Sequence, residues 1–394
     1  MAGAIVRSGF AVLCVRVVMV VSAAALLSAC AGERPKNAVC PAVTGAPLET
    51  FDASLADAMA ARWSGTPGHP HERAAILVLS GGGAWGAYGA GFLNGWSQRP
   101  AALGRPRPQF DVVTGVSTGA IMAPYAFLGQ SYDQALERGF RGADASSVFL
   151  PRSILSVPFS NSLNDPAPME QGLNAAFSDD VVAGIRAATG ERRTIWVGAV
   201  NFDTAAFTEF NLSALARDLP PDQARTAMVD RIMAASAVPA FFPPRFINGC
   251  MYMDGDVREN VFVSHLHGAV KTAAGMDTPQ ADIYVIVNGT VGDHRILTDN
   301  TLIGIAVRGF EIAEGEIQLN SLREVYDYAQ EHGYGFYWTS SDDVVADPKD
   351  VRRGICPGPQ SADEQFKAGF TTCLFDAGLA KARDRQTPWR TDRP

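Results

Sequence analysis

Ser117 stands in the pentapeptide GVSTG, directly after the apolar run FDVVT (110–114) and directly before AIMAPYAFLG (120–129). A strand that passes into a helix through a tight turn lifts a serine hydroxyl clear of the backbone, where a substrate carbonyl can reach it. Gly115 and Gly119 suit such a turn, since larger side chains there would block the approach of helix to strand. The chemistry served is acyl transfer by a nucleophilic serine. It requires a group that takes the serine's proton and donors that hold the oxyanion.

Donors are supplied by ILVLSGGG (76–83), a short apolar run ending in Gly81, Gly82 and Gly83, followed by the helix-like AWGAYGAGFLNGW. Glycines at a helix N-terminus leave backbone N–H groups unpaired at the positive end of the dipole, where they stabilise a phosphate or an oxyanion. Gly81, Gly83 and Gly86 also satisfy G-x-G-x-x-G, the dinucleotide fingerprint. That fingerprint requires an acidic residue about 20 positions on, after a second strand. Here the next strand instead opens with Asp111 and ends in the serine turn.

A proton acceptor is offered by Asp254 in MYMDGDVREN, at the end of the β-like FINGCMYM and ahead of Gly255. Alone, an aspartate before glycine reads as an Asx-turn; beside the other two motifs it reads as the serine's base. The competing base is a histidine. Of His69, His71, His265, His267, His294 and His332, His294 is best placed, after the strand DIYVIV and close in sequence to Asp282 and Asp293. A Ser–His–Asp carboxylesterase or thioesterase is therefore the rival within enzymes. The rival from another class is a catalytically idle module that binds membrane surfaces on the same fold.

In this order, the three pieces resemble the patatin-like phospholipase family, with its G-G-G-x-[R/K]-G, G-x-S-x-G and D-G-[G/A] motifs. The likeness runs from about Ala74 to about Asn260, includes ASAVPAFFPP (235–244), and has a weaker echo in QFKAGFTTCLFDAGLAKA near the C-terminus. The resemblance implies a serine–aspartate dyad of Ser117 and Asp254, an oxyanion hole at Gly81, Gly82 and Gly83, lipid or other ester substrates, and no cofactor or metal. Two positions depart from the pattern. Trp85 replaces the basic residue of the glycine motif. Asp256 replaces the third residue of D-G-[G/A], so a second carboxyl either points to solvent or shifts the site's pH dependence.

These residues need a frame. Strands are expected at 75–80, 110–114, 194–201, 246–253 and 282–288, with helices at 86–98, 118–129, 168–188 and 222–236. Near-continuous apolar strands alternating with helices define an α/β fold, a three-layer α/β/α domain on a mainly parallel sheet. Its site belongs at the carboxyl ends of the strands, where all three motifs fall. Residues 71–333 form the hydrolase domain, and 334–394 a strand and helix packed on it. Residues 144–168 lack periodicity but carry seven large apolar side chains, including Phe149, Leu150, Phe159 and Leu163. Such a loop serves either as a lid or acyl groove, or as a segment folded onto the core. The long helix at 301–331 reads as a solvated face.

Residues 1–29 form a leader, with Arg7 and a long apolar run that ends in LLSAC. Small residues before Cys30 resemble a bacterial lipobox, in which Cys30 becomes the acylated N-terminus of a lipoprotein and 30–70 a tether. The other reading is an ordinary signal peptide or an uncleaved anchor. The lipoprotein reading expects a cell-envelope protein facing the periplasm, on the outer membrane in preference to the inner, held through lipidated Cys30. Cys40, Cys250, Cys356 and Cys373 allow three pairings between which sequence does not choose. Cys356 with Cys373 closes the shortest loop and leaves Cys40 with Cys250; buried free thiols are the alternative. The net charge of −8, without a basic run, argues against nucleic acid and against electrostatic capture by anionic membranes. The oligomeric state is left open.

Overall fold

The computed structural model describes residues 34–35, 40, 73–153, 156, 159–191, 193–263, 281–291, 298, 300–346, 355–359 and 362–394. The leader, Cys30, Asp293 and every histidine but His332 lie outside the described residues.

Strands β1 (Ala74–Leu79), β2 (Val112–Val116) and β3 (Thr194–Asn201) are buried along their whole length. This is why they read as unbroken apolar runs: both faces are covered. They are followed by β4 (Ala206–Asn211), β5 (Arg245–Ile247), β6 (Cys250–Asp254), β7 (Ala281–Ile286) and β8 (Gly335–Thr339). All eight form one sheet in the order β8-β7-β1-β2-β3-β6-β5, with β4 also paired to β3. The five strands from β8 to β3 are parallel, while β4, β5 and β6 add antiparallel pairs at one edge. β8 joins the sheet through the register Gly335↔Asp282, so the segment after 333 completes the same sheet.

On one face, Leu77, Leu79, Val113, Ile195 and Val197 pack with helices α1 (Gly86–Ser97), α2 (Thr118–Leu128), α5 (Asp179–Gly190), α7 (Pro221–Ala235) and α9 (Ala368–Asp384). The other α-helices of seven residues or more among the described residues are α3 (Asp133–Phe140), α4 (Ala167–Ala176), α6 (Leu212–Asp218) and α8 (Leu302–Glu331). The opposite face, Ile76, Val78, Val112, Trp196, Ile283 and Val285, meets Val261, Phe262 and the C-terminal part of α8, from Leu322 to Ala329. The result is three layers, α/β/α.

Two sequence expectations change. The run 246–253 is not one strand but the β5–β6 hairpin, turned at Asn248 and Gly249 with φ of 51° and 81°. Positive φ at both central residues defines the tight turn that Asn-Gly favours. The helix expected at 168–188 is two, because the chain leaves helical geometry at Phe177 and Ser178. Disulfides join Cys40 to Cys250 and Cys356 to Cys373. Among the described residues, no helix is long and apolar enough to cross a membrane.

Candidate active site

β2 and β6 meet end to end along the same edge of β3. Val116 pairs with Gly198, and Asp254 with the next residue, Ala199. Because β2 is parallel to β3 and β6 antiparallel, their carboxyl ends converge, and the residues that leave them face each other. Ser117 Oγ donates a hydrogen bond to Asp254 Oδ2 at 2.7 Å, with Ser117 5% and Asp254 1% exposed. The end of α7 clasps both residues: Ala235 O accepts from the Ser117 N–H at 3.0 Å, and Ala237 O from the Asp254 N–H at 2.9 Å. Ser236 Oγ adds a bond to Ser117 O at 3.1 Å. Gly119 lets α2 lie against β1, for a Cβ there would stand 2.4 Å from Leu79 O.

The glycine loop continues from β1 toward α1. Gly82 and Gly83 have φ of 136° and 54°, which L side chains rarely adopt. A Cβ on Gly82 would also stand 1.8 Å from Asn288 O. Asn288 secures the loop from β7, donating its N–H to Ser80 Oγ and its Nδ2 to Ser80 O, each at 2.7 Å. No acceptor among the described residues takes the N–H of Gly82 or Gly83. Both glycines line the cavity that Ser117 opens into, ahead of the N-terminus of α1.

Three carboxyls gather here. Burial raises Asp254 to about 7, against the opposing effects of the Asp256 N–H and the Ser117 hydroxyl. Asp256 does not point to solvent. It is 5% exposed, accepts from Asn260 Nδ2 at 2.9 Å, and donates its N–H to Asp254 Oδ1 at 3.0 Å. Burial, then Asp254 and Glu314, hold its carboxyl well above the usual range. Glu314, on α8, is raised to about 7 by burial, with Glu311 adding to it.

The cavity measures about 2060 Å³. Ile121, Tyr125, Phe140, Leu173, Phe241 and Phe366 make one part of its wall apolar, while Arg308, Glu311, Glu314 and Gln318 of α8 give it a charged side. The helix expected to be a solvated face therefore contributes to the site. Its only sequence signal is the recurrence of polar residues at 308, 311, 314 and 318, one helical face. Trp85 also lines the cavity; its Nε1 donates to Gln365 Oε1 at 3.3 Å, and its ring meets Phe370 edge-on at 5.2 Å. The loop at 144–168 divides between its two readings. Phe149 is buried against Phe241, Phe242 and Phe366, whereas Leu150, Phe159 and Leu163 are exposed, and Leu163 lines the cavity. His332 caps α8, its Nδ1 2.9 Å from Tyr328 O, away from the cavity lining.

Residues 77–267 match the patatin-like phospholipase family. The matched span holds the glycine loop, Ser117 and Asp254. Among solved structures it is similar to VipD from Legionella pneumophila, at 11% identity and a TM-score of 0.37, covering 79% of this chain and 66% of that one. It is also similar to human GIVD cytosolic phospholipase A2 bound to a methyl gamma-linolenyl fluorophosphonate inhibitor, at 12% identity and a TM-score of 0.33, covering 84% and 61%. The chain spans less than two thirds of the length of either. No curated protein matches it.

Proposed function

We propose that this protein is a serine hydrolase of lipid acyl esters, with Ser117 as nucleophile and Asp254 as its base. The observation that carries this reading is the buried 2.7 Å bond from Ser117 Oγ to Asp254 Oδ2. Ser117 Oγ attacks the ester carbonyl as its proton passes to Asp254. The N–H groups of Gly82 and Gly83 hold the oxyanion, and the Gly81 carbonyl, bonded by Ser80 Oγ at 2.7 Å, keeps the loop in place. Asp254 returns the proton to the leaving alcohol. Water then attacks the acyl carbon, giving its proton to Asp254, and as the Ser117–acyl bond breaks Asp254 returns that proton to Ser117 Oγ and the fatty acid leaves. The apolar part of the cavity receives the acyl chain.

Ester hydrolysis by Ser117→Ala and Asp254→Asn, each checked for folding, tests this reading. Each variant should lose several orders of magnitude in kcat, as groups that act as a unit do. Full activity in Asp254→Asn would shift the base to a histidine, with His294 first in line. Inactivity of the wild type on every ester tried would favour the idle binding module. Because Asp254 accepts the proton only when ionised, wild-type activity should climb as pH rises through about 7. Anchoring through an acylated Cys30, in the cell envelope, completes the proposal and rests on the LLSAC boundary.

A further inference from the structure

Asp256 stands where the family motif has a small residue, and the fold gives it a place of its own. Its backbone N–H binds Asp254 Oδ1, which leaves Oδ2 for the Ser117 hydroxyl. Its carboxyl turns back onto the glycine loop. A Cβ built on Gly81 would stand 1.8 Å from Asp256 Oδ2 and 2.2 Å from Oδ1, so only glycine fits beneath it. Asn260 Nδ2 fixes Oδ1 at 2.9 Å.

The charges that act on this carboxyl are negative. Asp254 faces it from β6, and Glu314 from α8. Arg308, Glu311 and Asp342 line the same cavity, with Arg308 bonded to Glu311 at 3.1 Å. The glycine loop and Asn288 bring no charge. Burial and the two neighbouring carboxylates oppose ionisation, and the Asn260 amide alone among these groups favours it. Two carboxylates in one dry site do not ionise together at neutral pH. Asp254 accepts the serine's hydrogen bond and Asp256 is held further above the usual range, so of the pair Asp256 keeps its proton to the higher pH.

We propose that Asp256 is a positioning residue of the dyad: it holds one proton beside Asp254, so the Asp254–Asp256 pair works with a single negative charge and is switched off when Asp256 ionises. This rests on the dyad reading of Ser117 and Asp254. An ionised Asp256 would lie against the loop whose N–H groups receive the oxyanion, and would oppose the charge that develops there. Substitution at 256 leaves the backbone bond to Asp254 in place, so the role of the carboxyl is separable from that of the main chain.

The test is a pH profile of kcat/KM for a short-chain glycerol ester, followed by pH-stat on the full chain from about pH 5 to about pH 10. Wild type should show two limbs, rising with Asp254 and falling with Asp256. Asp256→Asn, an isostere that cannot ionise, should keep the rising limb and lose the falling one, whatever its plateau. Glu314→Gln removes a negative neighbour from both carboxyls and should move both limbs to lower pH by about half a unit or more. It decides the matter should Asp256→Asn fail to fold. A wild-type profile without a falling limb, a falling limb that survives in Asp256→Asn, or limbs unmoved in Glu314→Gln would each overturn the proposal. Wild-type rates in Ser117→Ala would instead overturn the dyad reading beneath it.

Discussion

Ser117 holds φ 51° and ψ −124°, a conformation costly for a residue with a Cβ. It persists because its main chain is tied on both sides, by Ala235 O to its N–H and by Ser236 Oγ and the Ala120 N–H to its carbonyl. The hydroxyl is thereby aimed by the backbone and not by a choice of rotamer. Trp85 shows the opposite kind of constraint, a side chain held by its neighbours, Gln365 and Phe370. An indole offers area and one N–H but no charge for an anionic head group. Trp85→Arg should therefore raise kcat/KM for anionic over neutral esters by about threefold, the scale of a partly exposed ion pair. Trp85→Ala should leave that ratio flat and lower the thermal midpoint. An unchanged ratio in Trp85→Arg would reduce position 85 to packing.

At the scale of elements, the small residues of α1 are explained by α9. A Cβ on Gly91 would stand 2.0 Å from Phe375 O, and one on Gly95 2.1 Å from Leu379 O, so the two helices cross backbone to backbone. Gly91→Ala should separate them and cost roughly 1–3 kcal/mol, as overpacking does; an unchanged denaturant midpoint would contradict this. The small face was legible in AWGAYGAGFLNGW, but its partner, α9 near the other end of the chain, was not. The same division holds elsewhere. β3 was read to its ends because both its faces are buried and its flanks are polar. β4 was missed because its first three residues are not buried, and the β5–β6 hairpin because its strands are short, although Asn248-Gly249 carried the turn signal. Ser117, Asp254 and the glycines announce themselves through local turn chemistry. Asn260 and Asn288 reach the site through packing alone, and no local pattern marks them, while Glu314 is marked only by the polar face it shares with 308, 311 and 318.

For the whole molecule, attachment and stability can be tested apart from catalysis. Cys30→Ser should move the protein from the detergent phase to the aqueous phase, as loss of an acylated N-terminus requires; unchanged partitioning would indicate an uncleaved anchor. Stability is linked to the buried carboxyls. Asp254, Asp256 and Glu314 all bind protons more tightly in the folded chain than free carboxyls do, Asp254 and Glu314 up to about 7. Below about pH 4 both states are protonated, and this contribution is fully present. As pH rises toward 7 the unfolded chain releases protons that the folded chain keeps, so stability falls across that window and levels off once the folded groups ionise. The direction is opposite to that of a carboxylate held by a cation, such as Asp343 beside Lys381 and Arg385, which adds stability as pH rises through the acid range. Asp254→Asn removes one member of the buried set. Its thermal midpoint should match that of the wild type near pH 4 and exceed it by several degrees near pH 8, about where the wild-type site is most active. On the proposed dyad, the burial that tunes the base thus weakens the fold at the pH where the base would work. Equal midpoints of the two proteins at both pH values would show that Asp254 is not held protonated by the fold.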